Sequence, residues 1–251
     1  MKKENRIRIL SLLLMSLVLI ISCDKGNDIN ILNNCETAAI FNPDKNYGTL
    51  TDQEGNVYKT IQIGSQTWMA ENLRTTIYRN GDPIPKVTDS LTWGYLNTGA
   101  YCNYNNTEST DTICTYGRLY NWFTVNDDRN IAPEGWHVPT LDEWLILENY
   151  MENDPILTTK LKETGQFHWI NWNELSTNET GFTALPGGCR WYIQGASGFT
   201  LIGNEGFWWT VTKDEYNLDN AHKVTIGFNY FVLGGCFCNK HDGCSIRCVK
   251  D

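Results

Sequence analysis

Nine cysteines and four histidines carry most of the chemistry open to this 251-residue chain. Cys23 stands apart from the rest. It follows Ser22 at the end of an uncharged apolar run, residues 9–21, which in turn follows Lys2, Lys3, Arg6 and Arg8. A positive start, an apolar run and a small residue before a cysteine make up a secretory signal that resembles a bacterial lipobox. On this reading residues 1–22 are removed and Cys23 is lipidated. Its acyl chains then hold the protein on a membrane leaflet. The apolar run is short for a transmembrane helix.

The other eight cysteines are Cys35, Cys102, Cys114, Cys189, Cys236, Cys238, Cys244 and Cys248. An exported protein meets an oxidising compartment, so most of them are expected in disulfides. Cys102 and Cys114 flank a polar Asn/Thr/Ser/Asp-rich loop and form the local pair expected to bond. Zinc is the rival for the four C-terminal cysteines, but their spacing lacks the two-residue gap of zinc knuckles, and disulfides are favoured.

His137 lies between Trp136 and Val138. A base or ligand there needs an oriented partner, and none can be placed, so a hydrogen-bonded core histidine is favoured. His168, His222 and His241 show no helical ligand pair. The carboxylates are scattered, and neither a phosphate loop nor a nucleophile elbow occurs. The chain therefore reads as a non-enzyme with no catalytic residue. Asn171, Asn173, Glu174, Asn178 and Glu179 are oxygen donors close in sequence, which leaves calcium open as a cofactor.

Binding chemistry is better supplied. Aromatic, amide and charged side chains can hold polar ligands by stacking and hydrogen bonding. The candidates are Arg190, Trp191, Tyr192, Gln194 and Phe199, together with Asn229, Tyr230, Phe231, Phe237, Asn239, His241 and Asp242. For residues 228–233 the rival reading is a buried central strand, and the short β-rich run favours burial. The loop at 234–242 keeps binding open.

These residues need elements to position them. Residues 49–69 read as strand, turn and strand, because 57–63 alternate with period two between turn-forming segments. Thr140 and Glu143 form a capping box that starts a helix after Pro139. Leu141, Trp144, Leu145 and Glu148 follow helical spacing, and Ile146 and Leu147 widen the apolar face. A shorter helix is expected over 155–163. Beyond it, glycines punctuate a half that reads as loop-rich. The class is α+β, with few helices, short antiparallel strands and long loops. The organisation is a signal at 1–22, a tether at 23–46 rich in Asn and Asp, and one domain at 47–251. Cys35 is placed to pin the tether to the domain. Loss of residues 1–22 takes the net charge from −9 to about −12, a surface that repels nucleic acid and anionic lipid. Ten Trp, twelve Tyr and nine Phe serve core or surface equally well.

Several stretches also carry a resemblance. They are Ile63-Gly64-Ser65-Gln66-Thr67-Trp68-Met69-Ala70-Glu71-Asn72-Leu73, Gly117-Arg118-Leu119-Tyr120-Asn121-Trp122, Pro133-Glu134-Gly135-Trp136-His137-Val138-Pro139-Thr140, Gly181-Phe182-Thr183-Ala184-Leu185-Pro186-Gly187-Gly188, and Ser245-Ile246-Arg247-Cys248-Val249-Lys250-Asp251. Together they resemble the Fibrobacter succinogenes major paralogous domain of exported Bacteroidetes lipoproteins, over about residue 47 to the end. The run from Gly135 to Trp144 and the Arg-Cys-Val ending are also similar to the formylglycine-generating-enzyme branch of the C-type-lectin-like fold. The resemblance implies that fold and a lipid-anchored place in the cell envelope, at the outer membrane. Its partners would be the membrane, through the anchor, and an extracellular protein or glycan, with no nucleic acid. A structural subunit of a surface assembly is the alternative, and a thiol or copper oxidase a more distant one, since the cysteine spacing does not match that branch. The sugar-binding triplets of calcium lectins are absent. The chain departs from the family where Ala132 replaces a usual Cys, which leaves Cys248 without that partner, and at Cys189 and Cys244, where aromatics are usual. The departures cluster at 189–244, as diversification by a retroelement would leave them; ordinary divergence is the favoured explanation.

Overall fold

A computed structural model describes residues 35–151, 157–171, 175–228, 230–234 and 238–251. Cys23 and the signal segment lie outside them, as do Asn229, Cys236, Phe237, Asn173 and Glu174.

The chain opens with the expected meander: β1 (Gly48–Thr51), β2 (Val57–Ile63) and β3 (Gln66–Met69). Period two puts Tyr58 and Thr60 inside and Val57, Lys59 and Gln62 outside. Asp52 fixes the first turn: its Oδ1 accepts from Asn56 N at 2.9 Å and its Oδ2 from Tyr58 Oη at 2.6 Å. Next come α1 (Ser90–Gly94), β4 (Tyr101–Cys102), α2 (Thr110–Tyr116), β5 (Leu119–Tyr120), α3 (Trp122–Val125), β6 (Trp136–His137) and α4 (Leu141–Tyr150). After α5 (Leu157–Leu161) the chain builds β7 (Gly187–Ile193), β8 (Ala196–Ile202), β9 (Gly206–Lys213), β10 (Ala221–Ile226), β11 (Phe231–Leu233) and β12 (Val249–Lys250). One sheet has the order β1-β2-β3-β12-β6, a second β11-β10-β9-β7-β8, and β4 pairs with β5. Apart from the single parallel contact of β7 with β9, the strand pairs are antiparallel. The α+β class with few helices and short antiparallel strands is what the structure shows.

The loop-rich reading of the second half needs correction. β7, β8 and β9, at seven, seven and eight residues, lie within it and equal or exceed β2 in length. Helix α4 starts where expected. Thr140 Oγ1 accepts from Glu143 N at 3.1 Å, and Glu143 Oε2 accepts from Thr140 N at 2.8 Å. Its inward face is narrower than expected: Trp144 and Leu147 are buried, but Leu145 and Ile146 are exposed. The α5 helix covers the middle of the expected 155–163 helix.

The core is aromatic. Trp68, Trp93, Trp144, Trp169, Trp208 and Trp209 are fully buried. Trp68 and Trp144 meet at 4.7 Å between ring centroids, with Phe182 and Trp208 beside them. Arg247 lies 4.3 Å from the Phe182 ring and 5.6 Å from the Trp208 ring. It donates to Asn72 Oδ1 at 2.8 Å, Thr183 O at 2.9 Å and Phe182 O. Burial pulls its pKa down to about 9, and these carbonyls satisfy the guanidinium that water no longer reaches.

Part of the expected tether is docked. Cys35 is disulfide-bonded to Cys114 on α2. Ala38 N donates to Thr115 Oγ1 at 3.2 Å, and Ile40 N donates to the buried Glu163. Lys59 lies 5.0 Å from the ring of Phe41. The expected Cys102–Cys114 bond is thus replaced. The polar stretch between them does not close as a hairpin: Tyr104–Asn106 makes a 3-10 turn and α2 follows. Cys102 is left a thiol in a small core with Trp93, Ala100 and Leu119. Burial, only partly offset by Arg190, pushes that thiol up to about 11. Cys248 is likewise a buried thiol, in the same apolar cluster as Ala132.

Candidate functional site

The β7–β8 hairpin carries the first group of candidate residues. Gln194 and Gly195 form its two-residue turn, with φ of 49° and 86°. Positive φ at both positions matches the twist of the flanking strands. A Cβ at Gly195 would lie 2.7 Å from Tyr95 Oη, so the loop after α1 closes onto the turn. Gln194 is exposed at the tip, and Trp191, Tyr192 and Phe199 are half-buried.

A groove of about 380 Å³ runs along this hairpin, lined by Trp191, Ile193, Gly198, Phe199, Thr200 and Leu201. Trp191 faces Gly198 across the strands, and the missing side chain leaves its ring room. Successive strand residues point to opposite faces, so Tyr192 turns away from Trp191. Its ring stacks on His241 at 5.0 Å and 29°. Phe123 meets the same imidazole edge-on at 5.2 Å. The loop holding His241 is fixed by Asn239, whose Oδ1 accepts from His241 N at 2.9 Å, and by Trp93, whose Nε1 donates to His241 O at 2.6 Å. Burial lowers the pKa of His241, which favours the neutral ring.

The candidate set does not form one surface. Arg190 is fully buried, 4.5 Å from the Trp93 ring. It donates to Ser197 Oγ, Val87 O and Thr88 O at 2.7, 2.8 and 3.0 Å. It holds the hairpin to the preceding loop. Asp242 is also buried, accepting from Tyr192 N at 2.8 Å and pairing with Lys223 Nζ at 3.4 Å. Tyr230 and Phe231 lie at the far edge of the second sheet, on and beside β11, opposite β8. The expected buried central strand at 228–233 is thus an edge strand, with Phe228 and Tyr230 exposed and Phe231 half-buried. In the two candidate stretches the described residues that are buried are Arg190, Gly195, Cys238 and Asp242.

Sequence reasoning missed Lys223. Its Nζ sits under the groove, 4.8 Å from the Trp191 ring and 4.9 Å from the Phe207 ring. Burial disfavours its charge, but its interactions with Cys244, Asp242, Cys238 and Cys189 outweigh that and raise its pKa. A lysine in an alternating strand reads as solvent-facing, and only the register of β10 against β9 turns it inward.

His137 gains the partners that could not be placed from sequence. Its Nδ1 is 2.6 Å from Asp251 Oδ1 and its Nε2 2.7 Å from Glu143 Oε1. Partial burial alone would lower its pKa; the two hydrogen bonds and both charges raise it. It is a surface clamp and not a core histidine. Of the oxygen donors considered for calcium, Asn178 is buried and engaged with Thr183 through both side-chain atoms, and Asn171 donates to Asn204. Among the described residues, no three His, Cys, Asp or Glu side chains gather as a metal-binding group, and no helix is long and apolar enough to cross a membrane.

The model of the Fibrobacter succinogenes major domain matches residues 61–250 of the chain. No curated protein and no solved structure gives a match.

Proposed function

The chain belongs to the Fibrobacter succinogenes major domain family, and from that premise we propose that it is a non-catalytic binding protein of the bacterial cell envelope. On this reading Cys23 is lipidated, the protein is anchored at the outer membrane, and the architecture is C-type-lectin-like. The ligand is an extracellular protein or glycan.

One observation carries the binding reading: the groove along β7 and β8, with Trp191 and Phe199 in its lining. The half-buried Trp191 ring beside backbone polar groups suits a sugar ring or an apolar peptide side chain. The charged groups beneath it, Lys223 and Asp242, neutralise each other, so the surface offers stacking and not ionic chemistry. The Tyr192–His241 stack lies on the opposite face of the same hairpin from Trp191, with Gln194 exposed at its tip.

The test is a glycan array and a cross-linking pull-down with the exported protein, run beside a Trp191→Ala/Phe199→Ala variant. A ligand retained by the wild type and lost by the variant supports the reading. Equal retention by both, or no ligand with self-association instead, rejects it and favours a structural subunit. For the anchor, mass spectrometry of the N-terminal peptide should find acyl chains on Cys23, and an unmodified Cys23 rejects that part alone.

A further inference from the structure

In the segment that leads into β12, Gly243 pairs its backbone with Arg190 of β7. Arg190 N donates to Gly243 O at 2.9 Å, and Gly243 N donates to Arg190 O at 2.7 Å. The two residues therefore form a hydrogen-bonded antiparallel pair. One residue on in each segment, Cys189 and Cys244 are next neighbours of that pair, before Ser245 N turns away to Phe207 O; across such a junction Cα atoms approach to roughly 4.5–5.5 Å. A disulfide spans Cα separations of roughly 4.4–6.8 Å. Both cysteines are thiols, both are fully buried, and both belong to one apolar cluster. Lys223 acts electrostatically on each of them.

We propose that Cys189 and Cys244 are a redox site, oxidised to a cross-strand disulfide when the chain folds in the presence of a disulfide donor. The donor is a small-molecule or protein disulfide. One cysteine thiolate attacks a donor sulfur, breaks the donor S–S bond and releases one donor thiolate. The second cysteine thiolate then attacks the Sγ of the first, forms the Cys189–Cys244 bond and expels the other donor thiolate. The two thiol protons end on the donor, which is reduced by two electrons.

Timing follows from burial. The Lys223 ammonium favours thiolates, but burial dominates and pushes Cys189 up to about 12 and Cys244 well above its ordinary value. Reduced thiols in the closed cluster are therefore inert. Exchange belongs to the chain before the cluster closes, and the finished bond is shielded from soluble reductants. Cys238 lies in the same cluster and is the competing partner, but it is Gly243, next to Cys244, that pairs with Arg190. The bond would tie the hairpin bearing Trp191 to the segment bearing Asn239 and His241. That consequence rests on the binding reading; the bond itself does not.

The test uses the full chain refolded with reduced and oxidised glutathione, then denatured, alkylated and digested with trypsin without reduction. Cleavage after Lys162, Arg190, Lys223, Lys240 and Arg247 puts Cys189 in peptide 163–190, Cys236 and Cys238 in 224–240 and Cys244 in 241–247. The expected product is 163–190 joined to 241–247, and the same product from a Cys238→Ala variant. Alkylation of both Cys189 and Cys244 in the refolded wild type overturns the proposal. So does linkage of either one to 224–240. Protein refolded with dithiothreitol should resist maleimide at both sites until it is denatured, and rapid labelling of the native form counts against the burial argument.

Discussion

Glu143 serves two neighbours at once. Its Oε2 completes the cap of α4 with Thr140, while its Oε1 meets Nε2 of His137. Thr140→Ala removes the hydroxyl that accepts from Glu143 N and should cost roughly 1 kcal/mol in chemical denaturation. A change below a few tenths would show that the box contributes little. His137 adds a pH dependence. Its folded-state pKa is raised, so protonation favours the folded form. That contribution is fully present below the unfolded value of about 6.5 and is lost as pH rises through the folded value. The pair is partly exposed, so the effect should stay below about 1 kcal/mol. Wild-type stability relative to His137→Gln should thus fall as pH rises across that window; a difference that stays flat refutes the clamp. The cap was legible in the sequence because it is local, its two residues lying three positions apart. The His137 partners were only half legible: Glu143 is six residues away, but Asp251 arrives by the pairing of β12 with β6.

The hairpin of β7 and β8 depends on its turn. Gly195→Val puts a β-branched residue at a φ of 86° and drives its Cβ towards Tyr95. Strain of this kind costs on the order of 1–3 kcal/mol. The variant should melt lower and should broaden the signals of Tyr95 and Trp191 in an NMR spectrum before it affects β2. Unchanged stability would mean that the turn is not under this constraint. The same element shows where sequence reasoning ended. The meander at β1 to β3 was readable because its apolar residues alternate and its turns are polar. In β7 to β9 the glycines look like breaks. They are close approaches instead: Gly188 pairs with Gly206 across the parallel contact, and a Cβ on Gly188 would come within 2.5 Å of Thr200 O. Strand length there is set by neighbouring backbone, which no local pattern records. The candidate residues split for the same reason, since only strand order places β8 and β11 at opposite edges.

At the scale of the molecule, the covalent link between Cys35 and Cys114 joins residues 79 positions apart. Closing so long a loop should stabilise the fold by about 2–4 kcal/mol. Cys35→Ser should lose that amount and expose residues 35–46 to limited proteolysis while the rest resists. If the variant keeps both its stability and its protease resistance, the bond is incidental. The link also decides how the protein carries mechanical load. A pull on the N-terminus reaches the fold through sulfur at α2. Residues 36–47, between Cys35 and the first strand, are docked on the domain in parallel with that bond and bear no tension. The edge strand β1 would otherwise be unzipped from β2 one hydrogen bond at a time, the weakest way to load a sheet. With the bond in place it bears no tension, and force spreads into the body of the domain. In single-molecule extension from the N-terminus, the oxidised chain should yield at higher force than the reduced one, and its contour length should fall short by the residues the bond encloses.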